Sequence, residues 1–470
     1  MHFNNKTREL IKNIALFFIA NFLPKAITFF MVPLYTYCLS TGEFGTVDLI
    51  TTTVQLLLPI LTLQIQDAML RFSIDKTNNP NDVLTVGIRI ILSGTAVLIA
   101  GCAVGKCLNI ITLNMPYLIA FVIIYFVSAL KNIMSYFCRG IDKIKILTIS
   151  NVLLTLLTVL CNLVFLLVFK WGVYGYLLAM CLGNIIAVVI MFFGAGLYRY
   201  ISINIENKYI AREIICFSVP MLFSALAWWV NTSLDKYILG YFYGTSAVGL
   251  MAVAYKIPSI LSVFGNTVAN AYSISAIKEF DLGDSDGFLG KSYSLINVFY
   301  VVMCSFLMII NVFVAKILFS KDFFEAWRFV PPLLASSMFS MLSLTCEQYY
   351  IALKKTKIIS VTAVIGATIN FFANMALIPP YGAYGAAVAT AFAFFVVWLI
   401  RYFVLKMRLK LKLKHNFIVE FITYIFVIIQ LVLANYGNKY VGAQIVILIC
   451  IVLLYALTVI GKNQKSMASD

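Results

Sequence analysis

Three lysines lie inside long apolar stretches of this sequence: Lys25, Lys131 and Lys256. A charge at the centre of a lipid-facing helix costs about 2.5–3.5 kcal/mol or more, so such a residue faces a cavity, meets an acid or stretches to the interface. Lys25 follows Lys12 by 13 residues, about 20 Å of helix. That is too deep for easy stretching, and Pro24 beside it interrupts the helical hydrogen bonds, which predicts a cavity-lining role. Lys256 stands two residues before Pro258 and either lines a cavity or pairs with a carboxylate such as Asp235. Lys131 is eight residues from Arg139, about 12 Å along a helix, and reaches either a cavity or the interface. Arg71 and Arg139 end apolar runs, where they serve as anchors or as ligand contacts. Cations gathered in a low-dielectric cleft suit an anionic ligand.

Other polar residues leave alternatives open. Asp48, Asp67, Asp235 and Glu347 lie at or near the ends of apolar runs. Carboxylates there pair with a nearby base or helix end, or carry a coupling ion. Trp228, Trp229, Tyr237, Tyr241 and Tyr243 either stack on sugar rings or form an interfacial belt. Gln55, Gln64, Gln66, Asn266 and Asn270 offer hydrogen bonds to a ligand or between helices. Gly290-Lys291-Ser292 resembles a phosphate-binding loop but lacks glycine at Ser285 and a preceding strand. Asp281, Asp284 and Asp286 fail the calcium-loop spacing and read as a flexible acidic loop. The ten cysteines form no C-x-x-C pair, and both histidines, His2 and His415, lie outside the apolar runs. No metal or cofactor is expected.

The elements that position these groups belong to a membrane. Hydrophobic residues make up 62% of the chain and charged residues 11%. Apolar runs of about 20 residues match a hydrocarbon layer about 30 Å thick, and only helices satisfy their own backbones over such lengths. The runs predict fourteen spans: Leu10–Tyr37, Gly45–Leu70, Leu84–Leu108, Met115–Phe137, Ile146–Phe169, Val173–Leu197, Ile214–Leu234, Ala247–Asn270, Leu289–Ala315, Phe324–Thr345, Ile358–Ile378, Ala383–Val404, Phe417–Ala434 and Val441–Ile460. With the N-terminus inside, inner loops hold about 25 basic residues and outer loops about seven. That asymmetry predicts cytoplasmic ends. It also assigns the net charge of +16 to orientation and excludes nucleic acid as a partner. The first run lacks a small-residue cleavage site and reads as a helix, not a leader.

An internal repeat divides the chain. Lys143-x-Lys145-Ile recurs as Lys355-x-Lys357-Ile, and each second lysine precedes an asparagine, Asn162 or Asn374, by 17 residues. Gly172-Val-Tyr-Gly175 recurs as Gly382-Ala-Tyr-Gly385. A unit of about 210 residues holds six helices, so both copies start on the same side of the membrane. The expectation is an all-α integral membrane protein with two six-helix lobes around a cleft. Residues 1–205 and 206–408 form the lobes, and 409–470 form a basic linker and two further helices.

The chain resembles the polysaccharide/O-antigen flippases of the multidrug/oligosaccharidyl-lipid/polysaccharide exporter superfamily. The resemblance runs through Pro33-Leu-Tyr-x-x-x-Leu39-Ser-x-x-Glu43-Phe-Gly45, Arg71-Phe, Arg139-Gly140 and Asp235-Lys-Tyr-Ile-Leu-Gly240. It continues through Val248-Gly-Leu-Met-Ala-Val-Ala-Tyr-Lys256-Ile and Tyr381-Gly-Ala-Tyr-Gly-Ala-Ala387. It implies a V-shaped bundle like that of multidrug exporters, in a bacterial inner membrane, without enzymatic activity. The implied substrate is an oligosaccharide on undecaprenyl pyrophosphate, moved outward by alternating access for O-antigen or capsule assembly. Polymerase and chain-length proteins are the implied partners, with membrane lipids. By match with the family pattern, Lys25 and Lys256 are the leading cavity cations, and Asp235 pairs nearby. A multidrug–cation antiporter and a peptidoglycan lipid II flippase are the rival readings.

Overall fold

The computed structural model describes residues 26–75, 77–109, 114–202, 209–278, 280–285, 287–413 and 415–467. Fourteen helices run through the described residues. The first seven are α1 (Ala26–Cys38), α2 (Thr41–Leu61), α3 (Gln66–Ile74), α4 (Pro80–Cys107), α5 (Met115–Gly140), α6 (Ile144–Asn162) and α7 (Gly172–Gly194). Then come α8 (Ile210–Ala254), α9 (Lys256–Lys278), α10 (Phe288–Leu318), α11 (Val330–Ala352), α12 (Thr356–Phe403), α13 (Phe417–Ala434) and α14 (Val441–Met467). Eleven described helical stretches are long and apolar enough to cross a membrane. This is a multi-pass membrane protein.

Two of the long helices conceal tight turns. Gly244 in α8 has φ 77° and Gly382 in α12 has φ 57°, values that favour glycine because it lacks a Cβ. Helices α2 and α3 are one span with an interruption, and residues 245–278 are another. Counted this way, the described elements make the fourteen spans that hydropathy predicts. The boundaries differ by several residues at a number of ends, and most at one joint. Span 7 was expected to stop at Leu234, whereas the helix continues to Gly244 and takes in Lys236.

The chain divides into two compact units, Met1–Trp229 and Val230–Asp470. In the first, Val47, Ile65, Met69, Ile133, Phe137, Leu177 and Met191 share a buried core. Gly94 lets α4 approach the backbone end of α2 closely: a Cβ there would lie 2.3 Å from the Leu61 carbonyl oxygen. In the second unit α11 is the central element, with 78% of its apolar window buried. Buried polar contacts fasten α13 and α14 to α10. Ser305 Oγ donates to Gln430 Oε1 at 2.6 Å, Gln430 Nε2 returns a bond to the Ser305 carbonyl at 2.9 Å, and Tyr455 donates to Asn297 Oδ1 at 2.9 Å.

The sequence repeat is visible in the backbone of each unit. Asp142 and Lys354 have φ 58° and 55°. The following residues, Lys143 and Lys355, precede α6 and α12 with φ/ψ of −95°/40° and −106°/42°. Asn162 and Asn374 are both fully buried. Gly172 and Gly382 make the next turn of each copy with φ 54° and 57°.

The acidic residues before α10 form a structured cap rather than the flexible loop expected from sequence. Buried Asp284 accepts from the Leu289 and Gly290 amides at 2.9 Å each. Asp281 accepts from the Gly283 and Ser285 amides at 3.0 and 2.8 Å. A carboxylate at a helix N-terminus satisfies amides that lack helical partners. Asp286 lies outside the described residues.

Candidate functional site

The broken span α2–α3 builds the principal cavity of the first unit. Pro59 has no N–H, so it removes the helical donor to the Gln55 carbonyl. The chain then leaves the helix: Leu63 and Gln64 take φ 53° and 54°. Local bonds hold the break, with Thr62 Oγ1 donating to the Leu58 carbonyl at 2.6 Å and the Gln64 amide to the Pro59 carbonyl at 2.9 Å. Gln66 restarts the helix as α3, whose far end at Ile74 is about 12 Å away along its axis. Irregular backbone within a membrane span is tolerated where it borders protein or a cavity.

Here it borders a cavity of about 460 Å³, whose polar lining comes from Gln55, Thr62, Gln64, Gln66, Asn132 and the two tryptophans. Helix α5 contributes Asn132, and α8 contributes Trp228 and Trp229. Trp229 is buried and fixed, because its indole N–H donates to the Thr52 carbonyl at 3.2 Å. Trp228 is 65% exposed, which leaves much of its ring surface accessible. Among the described residues the lining contains no charged group. Side-chain amides both donate and accept, and indole faces offer flat apolar surface. Such a lining offers hydrogen bonds and stacking surface to a ligand rich in hydroxyl groups.

The expected cations that are described do not line this cavity. Lys25 lies outside the described residues. Lys131 is half-buried, one residue before Asn132 on α5, and is not part of the cavity lining. Arg71 is exposed, with its guanidinium 5.7 Å from the Phe217 ring centre. Arg139 is also exposed and lies 5.0 Å from the Tyr136 ring centre. Asp67 is not a lining residue but contacts one: its Oδ2 accepts from Gln64 Nε2 at 3.4 Å. Asp48 is half-buried on α2. Just past α3, two hydrogen bonds from Thr77, led by its amide at 3.1 Å, hold the Asp75 carboxyl below the usual carboxylate range.

In the second unit Asp235 is 3% exposed and accepts from the Tyr255 hydroxyl at 2.9 Å. Tyr255 is the joint between α8 and α9, immediately before half-buried Lys256. The acid and the lysine named from sequence therefore flank one helix joint. Glu347 forms an ion pair with Arg401. Arg401 lies within the predicted span Ala383–Val404 and is 4% exposed within α12.

Sequence reading named the three glutamines and both tryptophans but left them with two roles each. It missed Thr62, Asn132 and the break itself. The available signal was Pro59 followed by alternating polar residues at Thr62, Gln64 and Gln66.

Interrupted helices that border polar sites recur in secondary transporters. A structure titled lipid II flippase MurJ, in an inward-closed conformation, matches with TM-score 0.71 at 13% identity, covering 94% of this chain and 98% of that one. An inward-facing multidrug resistance transporter of the MATE family matches with TM-score 0.64 at 12% identity, covering 84% and 94%. A transporter of the MOP superfamily from Pyrococcus furiosus, whose title describes a binding pocket of reversed polarity, matches with TM-score 0.57 at 11% identity, covering 84% and 95%. No curated protein matches the sequence. Residues 10–277 match the family described as polysaccharide biosynthesis protein, and the chain belongs to that family.

Proposed function

We propose that this protein is a flippase for a lipid-linked oligosaccharide. It takes repeat units on undecaprenyl pyrophosphate from the cytoplasmic face of a bacterial inner membrane and releases them on the outer face, for O-antigen or capsule assembly. The observation that carries this reading is the cavity lined, among the described residues, by amides and indoles in a member of a polysaccharide biosynthesis family. Gln55, Gln64, Gln66 and Asn132 exchange hydrogen bonds with sugar hydroxyls, and Trp228 supplies a stacking face. Lys25, Lys131, Lys256, Arg71 and Arg139 serve the pyrophosphate as it enters and leaves. Asp48, Asp67, Asp235 and Glu347 pair with neighbouring groups or couple the cycle to an ion. Alternating access keeps the sugars and phosphates out of hydrocarbon throughout. Polymerase and chain-length proteins take the product on the outer face.

A deletion strain tests this directly. Undecaprenyl-linked repeat units should accumulate on the cytoplasmic face, and surface polysaccharide should disappear. Wild-type protein should restore export, whereas Gln64→Ala combined with Trp228→Ala should reduce it at least about tenfold at equal protein level. The loss follows from a hydrogen bond and a stacking contact worth about 1 kcal/mol each. Normal surface polymer with raised dye sensitivity would instead favour a multidrug antiporter. Blocked peptidoglycan synthesis with normal repeat-unit export would favour lipid II.

A further inference from the structure

The second unit contains a different kind of pocket, where α12 leads into α13. Helix α12 ends in a wide turn, Val404–Arg408. Lys410 then takes a left-handed φ of 55°, and the backbone that follows it is tied down. The Leu411 amide donates to the Leu405 carbonyl at 3.1 Å, and the Lys412 amide donates to the Leu282 carbonyl at 3.0 Å. Leu411 is 2% exposed and acts as a plug. The segment is therefore a fixed wall, not a free basic tail.

That wall encloses about 480 Å³, bordered by Lys406, Lys410, Lys412, Tyr402, His415 and Phe417. All three lysines are exposed, and the Lys406 ammonium lies 5.7 Å from the Phe417 ring centre. Among the described residues, no acid lines the pocket. Buried Glu420 lies beside His415, whose Nδ1 is 2.9 Å from Glu420 Oε1. His415 Nε2 shares a 2.9 Å hydrogen bond with the Tyr402 hydroxyl. The imidazole is thus committed to its neighbours, and ligand charge is left to the lysines. The volume exceeds what one ion needs and falls in the range of small-molecule sites, about 300–1,000 Å³.

We propose that this pocket binds a phosphate ester, with the three lysines around the phosphate and the aromatic floor under the remainder of the ligand. Basic pockets beside membrane helices bind lipid headgroups by this chemistry, and a soluble phosphate compound would present the same group. The site is independent of the amide-lined cavity, and its ligand need not be the transported substrate.

Thermal unfolding of the full-length purified protein tests the assignment and separates the two sources. Wild type, Lys406→Gln/Lys410→Gln/Lys412→Gln and the matching triple arginine variant are titrated with phosphatidylglycerol and, separately, with inorganic phosphate. Phosphatidylcholine serves as the uncharged reference. The expected result is stabilisation of wild type and the arginine variant, with the midpoint of the titration at least about tenfold weaker in the glutamine variant. A lysine-dependent response to phosphatidylglycerol alone assigns a lipid headgroup, and one to inorganic phosphate assigns a soluble ligand. No response in wild type, or an equal response in the glutamine variant, overturns the site. Should the triple variant not fold, Lys406→Gln and Lys410→Gln singly carry the same comparison, each expected to weaken binding about threefold.

Discussion

Arg401 illustrates how much one side chain organises inside the second unit. Its guanidinium meets Glu347, Ser343 Oγ at 2.8 Å, Thr362 Oγ1 at 2.8 Å and the Ile359 carbonyl at 3.3 Å. Its own carbonyl accepts from Tyr350 at 2.6 Å. Five N–H groups in a planar fork suit such a junction, and a lysine could not replace it. Glu347→Gln keeps the shape and removes the balancing charge, which should cost about 3 kcal/mol. The readout is a lower unfolding midpoint in detergent, and adding Arg401→Met should restore most of the loss. An unshifted midpoint in Glu347→Gln would mean that hydroxyl and carbonyl acceptors alone satisfy the arginine. Sequence showed neither partner's role, because Glu347 and Arg401 are 54 residues apart and only folding brings them together. The cavity glutamines were equally ambiguous: an amide in a span looks the same whether it faces a ligand or a neighbouring helix.

Among elements, the turns were more legible than the breaks. Gly172 and Gly382 were read as repeat markers, and both take a positive φ. An alanine at either position should cost about 1–3 kcal/mol. At Gly172 the new Cβ would also approach Glu43 Oε1 to 3.2 Å. Detergent-solubilised Gly172→Ala and Gly382→Ala proteins should both melt below wild type, and a midpoint equal to wild type in either would refute the strained-turn argument there. Glu43 also completes a capping box: its carboxylate accepts from the Ser40 amide at 2.8 Å, while Ser40 Oγ accepts from the Glu43 amide at 3.3 Å. Part of the family-like pattern Leu39-Ser-x-x-Glu43 therefore records helix initiation rather than ligand contact. The interruption of α2–α3 was hidden for a different reason. Hydropathy averages over a window longer than the four residues of Thr62–Ile65, and Pro59 is tolerated inside membrane helices often enough to be uninformative alone.

At the scale of the whole molecule, the fourteen-span architecture was legible because lipid imposes it on length and composition together. The side of the membrane taken by each loop follows from charge, and it yields a direct test. Alkaline phosphatase fused after Lys170 should be active, because that loop is assigned outside, and a fusion after Lys143 should be inactive. A fluorescent protein at the C-terminus should be bright. The reverse pattern would invert the chain and place the pocket of Lys406, Lys410 and Lys412 on the outer surface. The two described cavities differ in a way that composition could not reveal. Among the described residues, the first unit's cavity is lined by amides and indoles, whereas the strongly cationic pocket lies at the linker before α13.

Tyr243 reaches from the end of one hairpin to the end of another, donating to the Pro379 carbonyl at 2.7 Å with its ring against Gly382. Two hairpin tips are buttoned together by this one phenol. The two turns then move as one body, because neither tip can shift without breaking that bond.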